Sequence, residues 1–361
     1  MIELFNLLKL RIETDGPLTL ADYMVQALGH AEYGYYRKRD PLGTNGDFIT
    51  SPEISQMFGE LIGIWSAICW QQLGSPSKIN LVELGPGRGT LLADALKAAK
   101  GVPGYFDAIA PHLIESSPIL VERQRHNLSP YGKACLWHKA FEEVPDGPFV
   151  LIANEFLDAL PMRQFVNDGG EWCERLIDLD KNGTSLCWTT STCHPPSEFL
   201  VPSALCECEE GMIWEISPAT QQIITSVSSA ISERRGSALF IDYGYVEQTG
   251  GDTFQAVRNH NYVDPLQAPG DADLTTHVDF GAIKRVAEEN GVRVSGPVTQ
   301  GDFLRGLGIE RRAERLMAEA SARQQSHILT GLKRLTGENE MGALFKVLAL
   351  SHPKGWPPEG F

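Results

Sequence analysis

LVELGPGRGTLLAD, residues 81–94, decides the fold. The apolar run 79–84 reads as a short strand, glycines follow at 85, 87 and 89, and TLLADALKAA then has helical spacing. A strand that turns through a glycine loop into a helix opens a parallel-sheet unit. Gly85 and Gly87, with Pro86 between them, let the backbone turn sharply and approach a ligand. A dinucleotide fingerprint needs small residues at the first, third and sixth positions, and the sixth here is Thr90. The G-x-G-x-G spacing through Gly89 therefore fits a nicotinamide dinucleotide less well.

Glu83 argues the same way. An acid at the strand end repels a pyrophosphate and attracts a ligand that is cationic and free of phosphate. S-adenosyl-L-methionine (SAM), with its ammonium and sulfonium, is such a ligand. Glu115, followed by Ser116, closes the next strand in HLIESSP. An acid one strand–helix unit downstream is placed to accept hydrogen bonds from both ribose hydroxyls. The alternative is that Glu83 and Glu115 are solvated strand-end acids; two acids at consecutive strand ends beside one glycine loop favour the cofactor site.

Outward from this segment, strands are expected at 108–115, near 134–138 and at 149–153, with a helix in SSPILVERQRHNL. This alternation marks a parallel sheet with right-handed crossovers. From about 162, runs at 163–166, 171–179 and 185–190, joined by Asn-Asp-Gly-Gly and Asp-Lys-Asn-Gly, read as a β-meander. Ser217-Pro218 starts a helix to about Arg234, SALFIDYGY is the fifth core strand, Phe254–Asn259 is a candidate sixth, and 342–350 is the last. Helices are expected at 279–290 and 305–335. Upstream, an amphipathic N-terminal helix and a helix after Thr19 precede a long loop ending in Ser51-Pro52-Glu53, with Ser51 expected as N-cap. The expected division is a helical region and lid at 1–75, a SAM-binding core at 76–160 and 212–361, and a β-rich insertion at 161–211.

Composition bounds the function. With 42% hydrophobic and 21% charged residues, the chain has a globular composition, and a disordered or low-complexity protein is excluded. Thirty-one basic against 46 acidic residues give a net charge of −15, so no nucleic-acid partner is expected. Seven scattered cysteines read as reduced thiols; Cys206 and Cys208 lack a second pair at zinc spacing, and no metal site is expected. The longest apolar stretch, 61–70, is too short to span a bilayer, so no membrane insertion is expected. The N-terminus lacks a signal-peptide cleavage site, which points to a cytoplasmic protein, or a matrix protein in a eukaryote. The oligomeric state is left open.

GDFITSPEISQMFGE, ELGPGRGTL, ANEFLDALP, IDYGY and LTTHVDFGA together resemble the MidA-like class I methyltransferases, over about residues 15–350. The GDFITSPE and NEFLDALP strings make the match specific. The resemblance implies a Rossmann-like α/β fold with a seven-stranded sheet, an antiparallel last strand and SAM as methyl donor. The family includes a mitochondrial complex I assembly factor that dimethylates an arginine. The resemblance thus implies a protein arginine methyltransferase acting on a respiratory complex I-type subunit. A small-molecule methyltransferase and a SAM-binding assembly factor with little turnover are the alternatives.

The candidate site residues follow. Thr50, Ser51 and the turn after Pro52 offer backbone N–H groups to the carboxylate end of SAM, or lid it; ordinary helix capping is the alternative, and Asp47 and Glu53 are then plain loop acids. Asn154, Glu155 and Asp158 cluster after the fourth strand, at the carboxyl edge of the sheet. Asn154 is assigned to the cofactor. Glu155 and Asp158 are assigned to an arginine, whose guanidinium stays protonated and is held by forked hydrogen bonds. Arginine methyltransferases use two glutamates at this station, so Asp158 departs from their pattern. His277, by resemblance to their Thr-His loop, would orient an acid or take the released proton, with Asp279 beside it. Asp242 and Tyr243 end the fifth strand at the same edge.

Overall fold

INLVEL (79–84) and FVLIAN (149–154) are buried at every position, as strands covered on both faces must be. They form the centre of a sheet in a computed structural model that describes residues 2–38, 50–191, 201, 205, 209–248, 250–355 and 357–361. Seven of its strands are β1 (Ile79–Leu84), β2 (Ile109–Ile114), β3 (Leu136–His138), β4 (Phe149–Asn154), β5 (Gly236–Tyr245), β6 (Arg293–Thr299) and β7 (Phe345–Ser351). Their spatial order is β6-β7-β5-β4-β1-β2-β3. The strands β1 to β5 are parallel, and β7 is antiparallel to both β5 and β6. This is the Rossmann-like sheet that the resemblance implies. Strand order reverses between β1 and β4, and open α/β sheets bind ligands at the carboxyl ends flanking such a reversal.

Helices α1 (Gln56–Gln72), α2 (Thr90–Ala99) and α3 (Pro118–Leu128) belong to this unit. Gly59 and Gly63 bring α1 against α2: a Cβ added at Gly63 would lie 2.6 Å from the Ala95 Cα. Only a glycine allows that approach, which explains the spacing in GELIGIW. The unit comprises Ile49–Leu157, Ile223–Val246 and Phe280–Phe361.

The second unit comprises Met1–Phe48, Asp158–Gln222 and Glu247–Asp279. Its main sheet runs Leu18–Thr19, Glu171–Leu179, Arg163–Asp168, Ile213–Ile216, with Leu186–Thr190 also paired to Glu171–Leu179. The expected meander is thus present. The N-terminal helix Ile2–Asp15 buries Leu4, Leu8 and Ile12 in a core with Tyr23 and Ile177. The compact units therefore divide the chain differently from 1–75, 76–160 with 212–361, and 161–211. Leu18–Thr19 pairs with Glu171–Leu179, which puts the N-terminal segment with the insertion.

Other expectations are corrected. Gln255–Arg258 is a strand, but of a three-stranded sheet with Asn261–Val263 and Asp273–Thr275. The sixth core strand is β6, obscured in the sequence by Ser295-Gly296-Pro297, where its pairing with β7 is irregular. Thr50, not Ser51, precedes the Ser51–Ile54 turn. That turn stops at Ser55, whose hydroxyl caps α1 at the Met57 N–H. The stretch expected to be helical at 305–335 is three helices, Gln300–Gly306, Ile309–Ala318 and Ala322–Thr336; Gly308 at φ +87° and a Ser321–Gln324 capping box separate them. Gly46–Ile49, with Asp47, and Cys206 and Cys208 lie outside the described residues. No helix among the described residues is long and apolar enough to cross a membrane.

Candidate active site

The glycine loop leaves β1 at Gly85, whose N–H still donates to the Ile114 carbonyl of β2. Gly85, Gly87 and Gly89 have φ of +59°, +53° and +78°, a conformation that side chains resist. A Cβ at Gly85 would lie 2.7 Å from the Phe156 ring. Gly89 precedes α2, and Pro86 is buried beneath the turn.

Glu83 is 4% exposed, and its Oε2 has no hydrogen-bond partner among the described residues. Burial pushes its carboxyl up to about 8. A phosphate beside it would add like charge to an acid that already resists ionising. A sulfonium–ammonium ligand would instead supply the missing countercharge, so the residues present fit SAM. Glu115, half-buried after β2, accepts the Ser117 N–H at Oε1 (2.7 Å) and the Gln124 amide at Oε2 (3.1 Å). Ser116 beside it is exposed.

At the end of β4, Asn154 is buried, and its Oδ1 has no hydrogen-bond partner among the described residues. Its Nδ2 donates to Glu155 Oε1 at 3.0 Å, and the Ser51 N–H donates to the same oxygen at 2.7 Å. The anion at the Ser51–Ile54 turn is therefore Glu155, so the Ser51 N–H is already engaged. The Ser51 side chain is buried, with Oγ 3.4 Å from Gln300 Oε1. Glu155 has φ +51°, a left-handed conformation costly for any residue with a Cβ. Asp242 holds that bend: its Oδ2 accepts the N–H groups of Phe156 and Leu157 (3.1 and 2.9 Å). Its Oδ1 accepts the Tyr243 N–H at 3.0 Å. Glu53 joins the turn to the glycine loop, accepting from Thr90 Oγ1 at 2.5 Å and lying 3.8 Å from Arg88 Nη1.

Glu83, Glu115, Asn154, Glu155 and Ser51 thus fall in the sheet unit, together with Thr50 and the glycines. Asp158 and His277 fall in the other unit. There the Asp158 carbonyl accepts the N–H of Thr276 at 3.0 Å, and the His277 N–H donates to Thr253 Oγ1 at 3.0 Å. The Tyr36 hydroxyl donates to Asp273 at 2.9 Å; burial and the charges of Asp273 and Asp158 drive its ionisation well above the usual phenol range. The sequence reading passed over Tyr36, Asp273 and Gln124. For Gln124 the only signal was an amide at a helix position that otherwise takes apolar residues. Asp242 stands in the sequence as an acid at the end of the fifth strand, with nothing local to mark it as the cap of the Glu155 bend.

Comparison with known proteins gives concordant results. A sequence profile of S-adenosyl-L-methionine-dependent methyltransferases matches residues 61–298. The chain is 37% identical, over 98% of its length and 87% of the relative's, to a Drosophila melanogaster protein named protein arginine methyltransferase NDUFAF7 homolog, mitochondrial. It is 36% identical to the Danio rerio protein arginine methyltransferase NDUFAF7, mitochondrial, over 94% of this chain and 85% of that one. A Burkholderia thailandensis protein crystallised with S-adenosyl-homocysteine superposes with a TM-score of 0.86 at 27% identity, covering 100% of this chain and 94% of that chain.

Proposed function

The chain belongs to this S-adenosyl-L-methionine-dependent methyltransferase family and takes SAM as methyl donor; on that premise we propose that it methylates arginine nitrogens of a protein, a subunit of a complex I-type respiratory assembly. The names of the relatives support this reading. The observation that carries it is Glu155, an acid held at φ +51° with its carboxylate fixed by two donors beside the β1–β4 reversal.

When bound, SAM would supply a methyl group on a sulfonium: the acceptor nitrogen would bond the methyl carbon in line as the C–S bond breaks, leaving neutral S-adenosylhomocysteine and releasing one proton from the methylated nitrogen. The residues that would hold it are Glu83, Gly85, Pro86, Gly87, Gly89, Glu115 and Ser116. Asn154, whose buried Oδ1 has no hydrogen-bond partner among the described residues, would offer that oxygen to the ligand's cationic end, and Thr50 and Ser51 would lie beside it. Glu155 has the chemistry to grip a guanidinium. That group stays protonated at any physiological pH, so it must be held by a carboxylate and have its charge drawn toward the gripped nitrogens. Fixing the carboxylate beforehand turns alignment into rate.

The thiols Cys69, Cys135 and Cys187 suit a reducing compartment. We assign the cytoplasm, or the mitochondrial matrix in a eukaryote; the relatives are mitochondrial by name. The test is incubation with methyl-labelled SAM and cell extract, followed by mass spectrometry for methylarginine. E155Q should lose about a hundredfold in transfer while binding S-adenosylhomocysteine within about threefold of wild type. Label in small molecules only, or full transfer by E155Q, overturns the reading. D158N and H277Q in the same assay test the roles expected of those residues.

A further inference from the structure

Gln124 is 0% exposed on α3. Its Oε1 accepts from Trp137 Nε1 at 2.8 Å, while its Nε2 donates to the Gly87 carbonyl at 2.7 Å and to Glu115 Oε2 at 3.1 Å. The amide orientation is dictated by its partners, because the indole can only donate and the carbonyl and carboxylate only accept. Trp137 is itself covered by the Arg125 guanidinium, 4.1 Å from its ring centroid. One buried amide therefore ties the glycine loop to the acid after β2 and anchors both to β3. With the Ser117 N–H on Oε1, the Glu115 carboxylate is gripped at both oxygens, and a carboxylate has capacity for further donors at each. A buried amide is costly unless satisfied, and an apolar side chain would fill the same place more cheaply, so the position is specified by the bonds it makes.

We infer that Gln124 is a positioning residue that sets Glu115 for the cofactor's ribose hydroxyls. This rests on the reading of Glu115 as the ribose acid. The test is calorimetric, with S-adenosylhomocysteine and its 2′-deoxyadenosyl analogue as probes. Wild type should bind the first about tenfold to a hundredfold more tightly, the effect of a hydrogen bond to a charged group. Gln124→Met should lose most of that discrimination while keeping affinity for the deoxy analogue within about threefold.

Gln124→Glu keeps the volume and adds a pH readout. Ionised, it repels Glu115 and abolishes discrimination; protonated, it donates to Glu115 and restores it as pH is lowered. If Q124M does not fold, the Q124E series decides alone. Equal weakening of both ligands, or discrimination unchanged in both variants, shows a merely structural residue and overturns the inference. A wild type that does not discriminate removes the ribose role of Glu115 instead, and the inference falls with it.

Discussion

If Glu83 faces the cofactor as proposed above, cofactor binding should release a proton. Its carboxyl sits at about 8 in the ligand-free protein because burial disfavours the charge, so at pH 7 it is about nine-tenths protonated. A sulfonium–ammonium ligand favours the ionised form, and binding at pH 7 should expel about 0.9 proton from this group. Ionising it at pH 7 costs about 1.4 kcal/mol, so apparent affinity should rise about tenfold from pH 7 to above 8. The assay is calorimetry at pH 7 in buffers of different ionisation enthalpy, comparing wild type with E83Q. The ligand's own amino group titrates equally in both proteins and cancels in the difference. The folded acid is raised above its unfolded value of 4.5, so its stabilising effect is complete below 4.5 and is lost as pH rises through about 8. Wild type should therefore lose stability relative to E83Q across that window. Identical proton release by the two proteins, or a pH-independent difference in their stability, would refute the argument.

Three further outcomes follow from the same geometry. Gly85→Ala should destabilise by roughly 2–4 kcal/mol in urea unfolding and weaken S-adenosylhomocysteine binding. It imposes φ +59° on a Cβ that meets Phe156 at 2.7 Å. Asp242→Ala strips acceptors from Phe156, Leu157 and Tyr243 and should cost about 2–4 kcal/mol, with loss of methyl transfer as the Glu155 bend relaxes. His112, 2% exposed and 2.9 Å from His138, is pushed down to about 4, first by burial and then by its neighbour's charge. At this histidine the native state binds fewer protons than the unfolded state between about 4 and 6.5. Wild type should therefore lose up to about 3 kcal/mol of stability relative to H112Q as pH drops through that range.

The sheet was legible because its central strands are continuous apolar runs bounded by glycine or by helix starts, and the β1 loop carries its own punctuation. What escaped notice was either irregular or long-range. The β6 strand hides behind Gly296-Pro297, and the Phe280–Glu289 helix before it does not indicate which strand comes next. The Ser51 N–H was readable as an anion site, but not that its anion is Glu155, 104 residues on. The bond that fixes the site is thus invisible to any local window. Gln124 illustrates the same limit: its Trp137 and Glu115 partners are 13 and 9 residues away, yet neither helical nor strand periodicity pairs them.

The NEFLDALP string carries a further consequence. Glu155 and Asp158 are three residues apart, but the division between compact units falls between Leu157 and Asp158. Each acid is supported by its own unit. Asp242 and Ser51 fix the backbone and carboxylate of Glu155, while Thr276 takes the Asp158 carbonyl. The shared motif thus reflects two frames meeting in sequence, rather than one helix turn presenting two acids. A helix would space such acids by its own geometry; here no helix follows Asn154, and the left-handed Glu155 sets the direction of the chain.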